Sequence, residues 1–413
     1  MSNDDIIAQR SKRIAELLPE KTNASIWQEI KRLHVQNMLD YVETHQNFDA
    51  ALHEYSLWQD QLPIGLDLPN SPDDEDINGA LFACGAYVQL GLYDPEHYGK
   101  AVELASDMIK ATGQQINVSS MFHMMRGDAY QWQRKYELAY EDYRQALNFN
   151  DILLEKYSEG IELTMLQLSN AALHRRLFDN FVLQNEYTQA ELIIKDFEKR
   201  LVDNEQRNLV AHMYLDLAHD YHRLAHENHE EDHLEPSFSL LNHALALFSE
   251  NNDDGKCALI HQHIGSIMMC AGEHEKGKKY FRNALALHEL AKDEHWGSTT
   301  MCLAIAYQDE GDTGEFEKLM SLAEKRFADY STHDMNAEFL HEKAAYHWFN
   351  DNLEKAKEYY NRSQDIYDML INPLEISSRP HAETCDYCDS SPELVEFFNE
   401  IQLERLDFND FKI

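Results

Sequence analysis

With 43% hydrophobic residues, 18 Phe, 21 Tyr and 5 Trp in 413 residues, the chain has enough apolar mass for a substantial core, which excludes an acidic disordered polypeptide. A formal net charge of −38 repels nucleic acid and anionic lipid, and the basic runs "QRSKR" (9–13) and "KGKK" (276–279) are too small to reverse that. Only 15 Gly and 9 Pro interrupt the chain, which argues for helices joined by short turns and against an all-β or Rossmann-like fold.

Residues 3–18 read as one amphipathic helix ended by Pro19, and segment 1–25 is expected to cap the first of a series of helical hairpins. That hairpin is legible in "VQNMLDYVETHQNFDAALHEYSLW" (35–58). The next stretch, "QDQLPIGLDLPNSPDDED" (59–76), has three prolines and an acidic run and reads as an exposed linker-like insertion. "LFACGAYVQLGLYDPEHYGKAVELASDMI" (81–109) returns to the hairpin pattern with Gly85, Ala101 and Ala105 around a short insertion.

The pattern is clearest in "MFHMMRGDAYQWQRKYELAYEDYRQAL" (121–147) and "LIHQHIGSIMMCAGEHEKGKKYFRNAL" (259–285). Aligned without a gap, they match Gly127 to Gly265, Ala139 to Gly277, Tyr143 to Phe281 and Ala146 to Ala284. Two antiparallel helices approach closely only where each offers a small residue, and the aromatic fills the space toward the next pair. A weaker copy lies at 170–197. The copy at 213–248 keeps Ala218, Tyr221 and Ala244, with about seven extra residues expected in its turn. The copy at 299–327 keeps Ala304, Tyr307 and Ala323 but puts Phe316 at a small-residue position; that at 339–367 keeps Ala344, Ala356 and Tyr360. After 370 the pattern breaks into a loop and a short acidic helix, a C-terminal region (371–413) that would cap the last repeat or dock elsewhere.

These motifs resemble the tetratricopeptide (TPR) repeat. Their recurrence at about forty residues, against a basic period of about thirty-four, is similar to the long-repeat arrays of kinesin light chains and of the bacterial peptide-sensing Rap, PlcR and NprR group. The resemblance implies an all-α, TPR-like right-handed superhelical solenoid of about eight helix-turn-helix repeats over 26–370. Most of that bacterial group has an N-terminal DNA-binding domain or three-helix bundle, whereas only about twenty-five residues precede the first repeat here.

The resemblance also implies that the first helix of each repeat lines a concave groove. The groove positions fall at Met121, Met124, Asp128 and Gln131; at His212, Leu215, His219 and His222; and at Leu259, Gln262, Ser266 and Met269. They continue at Ser298, Met301, Ile305 and Gln308, and at Glu338, His341, Ala345 and Trp348. Methionines, amides and histidines suit an extended peptide, whose backbone is hydrogen-bonded while Met and aromatic side chains receive its residues. Packing between neighbouring repeats is the other role such residues can serve.

Two further features allow chemistry. "HDYHRLAHENHEEDH" (219–233) spaces five histidines by three and four along one helix, a stripe compatible with a metal site, a pH switch or a solvated helix extension. The repeat register divides it: His219 and His222 fall in the groove, and His226, His229 and His233 run into the lengthened turn. "HAETCDYC" places His381, Cys385 and Cys388 at ligand spacing without a second Cys pair, so zinc, a redox dithiol or a plain loop remain open. No phosphate loop, nucleophile elbow or dinucleotide fingerprint occurs.

The expectation is a non-catalytic protein, without cofactor or metal, that binds a peptide or protein partner in its groove, as a bacterial signalling regulator would. A scaffold or assembly factor bridging larger proteins is the alternative, and a metal-dependent enzyme at the histidine stripe a weaker one. No stretch has the roughly twenty apolar residues of a membrane span and no N-terminal apolar region marks a signal peptide. Six cysteines in so long a chain fit reduced thiols and a cytoplasmic location. The sequence leaves the oligomeric state open, a homodimer included.

Overall fold

The computed structural model describes residues 3–43, 46–61, 72–113, 115–157, 159–201, 203–228, 233–291, 296–327, 334–370, 394, 396–398 and 401. Among these, every regular element is helical. The chain forms two compact units, Met1–Met213 and Tyr214–Ile413.

The first unit begins with α1 (Asn3–Leu17), whose buried Ile7, Ile14 and Leu17 make one stripe. Ile14 and Leu17 of this stripe join Trp27 and Ile30 of α2 (Ala24–Glu43) and Trp58 of α3 (Phe48–Asp60) in a common core. Arg10 pairs with Asp40 at 2.5 Å and Arg13 with Glu29 at 3.0 Å, holding α1 along α2.

Part of the expected insertion at 59–76 is helical. α3 continues to Asp60, and α4 (Asp74–Leu90) begins inside the acidic run; residues 62–71 lie outside the described chain. The acidic run starts the helix because Asp73 is its N-cap, exchanging hydrogen bonds with Asp76 in a capping box, while Asp74 and Glu75 meet the positive end of the helix dipole. Asp73 also receives the buried Lys31 ammonium, which lies 3.2 Å from Asp76. Burial raises the Asp73 carboxyl, but the hydrogen bonds from Lys31, Gln28 and the Asp76 backbone outweigh it and hold the group at about 2.

Hairpins then follow in order: α4 with α5 (Glu96–Ala111), α6 (Ile116–Trp132) with α7 (Tyr136–Leu154), and α8 (Ile161–Val182) with α9 (Tyr187–Glu198). Next, α10 (Asn204–Asn228), within which the two units divide, pairs with α11 (Leu234–Glu250), where the Ser237 hydroxyl donates to the Ala218 carbonyl at 2.6 Å. The second unit continues with α12 (Asp254–Cys270) and α13 (His274–Ala291), α14 (Trp296–Asp309) and α15 (Thr313–Phe327), and α16 (Asp334–Phe349) and α17 (Leu353–Leu370).

The close approach read from the glycines is real. A Cβ on Gly127 would stand 2.6 Å from the Tyr143 ring, and one on Gly265 would stand 2.6 Å from the Phe281 ring. One on Gly277 would come within 3.0 Å of the Gly265 carbonyl oxygen. The turns keep the same register: Arg134, Gly272, Gly311 and Asp351 have positive φ, and each lies seven residues after Gly127, Gly265, Ala304 and Ala344 respectively. The architecture is therefore an all-α array of TPR-like hairpins. Asn185, also at positive φ, places Phe178 at the small-residue position of the α8–α9 hairpin, which explains why that copy is faint in the sequence.

One expectation changes and one is explained. Most of the extra residues at 213–248 belong to α10, which continues to Asn228 because "HRLAHEN" contains no helix breaker and Ala225 continues the buried face; residues 229–232 lie outside the described chain. The large Phe316 fits at its small-residue position by turning toward the next hairpin, where its ring centroid lies 4.3 Å from that of Tyr346.

At the end of the second unit, Leu394, Phe398 and Ile401 pack on Ala344, Ala345 and Tyr360, with the Phe398 and Tyr360 rings stacked at 4.3 Å. Leu173 and Leu177 pack on Tyr143 with the same spacing of four. The C-terminal helical residues thus occupy the place that the next first helix occupies elsewhere.

Candidate functional site

The groove positions can be followed helix by helix, starting with Asp128, which directly follows Gly127 on α6. Its carboxylate accepts the Tyr143 hydroxyl at 2.8 Å and two Arg176 N–H groups of α8 at 2.6 and 3.0 Å. Burial opposes the Arg176 charge, yet the hydrogen bonds and charge of Asp128 raise the guanidinium pKa overall. Burial, then Asp128, raises the Tyr143 phenol well above its ordinary value, so it stays a donor. Gln131 lies 3.4 Å from the same hydroxyl, and Met124 packs on the Tyr143 cluster. Met121, one turn earlier, is exposed.

In the second unit, His219 directly follows Ala218 on α10 and is exposed. It meets His263 of α12 edge to face, with ring centroids 5.9 Å apart. Burial, reinforced by His219, pushes the His263 pKa down to about 4, so this imidazole is neutral near pH 7 and keeps an acceptor nitrogen. One turn on, His222 Nε2 lies 3.6 Å from Cys270 Sγ. Gln262 is held at both ends by α14: its Nε2 donates to Ser298 Oγ at 3.3 Å and approaches Cys302 Sγ at 3.7 Å, and its Oε1 accepts from Thr299 Oγ1 at 2.5 Å.

The rest of the groove set is mostly packed. Met269 lies against the Phe281 cluster and Met301 against the cluster of Phe316 and Phe339. Gln308 is half-buried. His341 is buried, with its ring 4.9 Å from Phe398, and Trp348 packs at the edge of the same cluster. Met124, Asp128, Gln262, Met269, Met301, His341 and Trp348 thus engage side chains of their own unit, and of these His341 is buried while the others stay half-buried. The reason is spacing: a groove-facing position also borders the next first helix, roughly 8–10 Å away, and a long side chain reaches across that seam. His219 is exposed on its first helix, and Gln131, His222 and Gln308 are half-buried.

The described histidines of the stripe do not converge on one point. α10 carries His219, His222 and the backbone of His226, while His233 precedes α11 with its ring 6.0 Å from that of Tyr221. Among the described residues, no group of three or more His, Cys, Asp or Glu is disposed to hold a metal ion. The His226 and Glu338 side chains, His229, His381, Cys385 and Cys388 lie outside the described residues. No helix among the described residues is long and apolar enough to cross a membrane.

The partners that complete these contacts had a usable signal. Arg176 and His263 both stand two residues before the small-residue position of their helix, Phe178 and Gly265, just as Asp128 and His219 both stand one after it. Reading those two positions across consecutive repeats finds both pairs.

No protein-family model matches the chain, and no curated protein matches it. Among solved structures, the apo form of RapI is similar at 14% identity, covering 83% of this chain and 98% of that chain, with a TM-score of 0.43. Aspartyl phosphate phosphatase F from Bacillus subtilis is similar at 14% identity, covering 87% and 92%, with a TM-score of 0.39. A STAND signal-transduction ATPase with a tetratricopeptide repeat sensor from Pyrococcus horikoshii shows 12% identity over 89% of this chain and 53% of that one, with a TM-score of 0.41. At such identities it is the hairpin geometry of this chain that establishes its fold.

Proposed function

We propose that this chain is a non-catalytic cytoplasmic protein that binds a peptide or protein segment along its first helices, and that it works as a peptide-responsive regulator. The observation that carries this reading is the row on α10 and α12, where exposed His219 and half-buried His222 stand beside His263 and Cys270. Imidazoles on two adjacent helices offer ring nitrogens that can donate to or accept from an extended backbone.

The test is a thermal-shift screen of the full chain against a library of short peptides, with small-angle scattering on each hit. A binding peptide should raise the melting temperature and contract the chain, and His219→Ala with His222→Ala should remove the shift. A chain that ignores every peptide but retains a folded partner through purification is a scaffold instead. That second reading draws on a specific feature, the apolar side chains exposed at the start of α8.

A further inference from the structure

α8 is longer than its neighbour α6, and the additional turns are at its N-terminal end. Its first eight residues read "IELTMLQL", five of them large and apolar, and none is buried; the buried residues of α8 begin at Asn170. Ile161, Met165 and Leu168 are 74%, 62% and 49% exposed, and their spacing of four and three sets them on one stripe. Leu163 and Leu166 beside them are half-buried. Helix positions this apolar normally face a core, and a contiguous patch without one marks an interaction surface.

The charge around the stripe selects its occupant. In sequence, exposed Glu155 and Glu159 precede the stripe and exposed Glu162 lies within it, with Lys156 the one cation between Asp151 and Leu168 and exposed Lys199 and Arg200 following the paired helix α9. Asp151 already takes Arg200 Nη1, 2.9 Å from each of its carboxylate oxygens. A second copy of the chain would set these carboxylates against their own duplicates, on top of a charge of −38 on each molecule. An anionic lipid surface meets the same repulsion. A helix with apolar residues at i, i+4 and i+7 and Lys or Arg on either flank satisfies both the stripe and its rim.

We propose that the first two turns of α8 are the docking site for a basic amphipathic helix of a partner protein. This proposal uses no residue of the α10–α12 row and does not depend on it.

The experiment uses the full chain and a synthetic amidated peptide, two copies of the heptad Leu-Lys-Lys-Leu-Leu-Lys-Leu, with two controls. One control has Glu for every Lys; the other has the same composition scrambled so that no apolar stripe forms. Binding is followed by fluorescence anisotropy and mapped by hydrogen exchange. The heptad peptide should bind and slow exchange within 161–168. Met165→Glu, at an exposed position that leaves the melting temperature unchanged, should weaken it about tenfold or more. Glu159→Lys with Glu162→Lys should weaken it and flatten its salt dependence. Binding by the scrambled peptide as strong as by the heptad peptide would overturn the proposal, as would protection spread over the whole acidic surface. So would concentration-dependent dimerisation that Met165→Glu abolishes, which would make a second copy the occupant. Protection of 161–168 in the free chain that disappears on truncation at residue 370 would overturn it equally, by showing the site already filled from within.

Discussion

The Asp128 carboxylate on α6 receives the Arg176 guanidinium of α8 at 2.6 and 3.0 Å, and these residues hold the same two repeat positions as His219 and His263. One seam position thus carries an ion pair in one unit and an imidazole pair in the other. Both seams, and the helix approach that creates them, have measurable consequences.

Asp128→Asn and Arg176→Gln should each destabilise the first unit by about 1.5–3 kcal/mol, the range for hydrogen bonds to charged groups. The double variant should cost clearly less than the two single costs added together, because the second change removes an interaction already lost. Urea melts of all four proteins give the coupling directly. Strict additivity would mean that the Asp128–Arg176 contact contributes nothing to stability.

His263 makes stability depend on pH with a definite sign. Its folded-state value of about 4 lies below the ordinary 6.5, so between these values the unfolded chain binds a proton that the folded chain refuses. Its stabilising contribution is therefore fully present above pH 6.5 and is lost as pH falls toward 4. Denaturant melts of wild type and His263→Gln at several pH values should diverge across this window and run parallel above it. Parallel curves throughout would show that His263 titrates normally in the fold.

The three glycines Gly127, Gly265 and Gly85 should respond differently to alanine. At Gly127 the new methyl meets the Tyr143 ring at 2.6 Å, and that ring cannot swing aside because its hydroxyl is held by Asp128. Gly127→Ala should cost about 1–3 kcal/mol through overpacking. Gly265→Ala meets Phe281 at the same distance but without a hydroxyl anchor, so it should cost less. At Gly85 on α4 nothing lies within 4 Å, and alanine should stabilise by about 0.5–1 kcal/mol through helix propensity. Thermal melts of the three variants test the ranking, and a stabilised Gly127→Ala would contradict the close approach.

The hairpin register is legible in the sequence because it depends on residues that constrain each other within one repeat. Gly127, Ala139 and Tyr143 lie within seventeen residues, and their spacing alone states that two helices touch. The groove is less legible because a single repeat does not reveal what stands opposite it. Nothing near Asp128 in sequence announces Arg176, 48 residues away, and nothing near Gln262 announces Thr299. The apolar start of α8 is hidden for a related reason: Phe178 occupies the small-residue position of that hairpin, so the pattern that locates the other first helices gives no starting point there. The acidic run at 73–76 reads as loop on composition, although Asp73 followed by Asp76 is also how a helix begins.

The seam pairs bear on how such an array can be rearranged. If every junction were plain apolar packing, any hairpin could stand beside any other, and whole hairpins could be deleted, duplicated or exchanged at little cost. Here three junctions each have their own chemistry: carboxylate to guanidinium between α6 and α8, imidazole to imidazole between α10 and α12, amide to hydroxyl between α12 and α14. Splicing the α6–α7 hairpin directly ahead of α12–α13 would set Asp128 against His263 and take from it the guanidinium of Arg176. The order of the hairpins is thereby keyed into the molecule, and a lineage that reshuffled them would have to change both halves of a junction together.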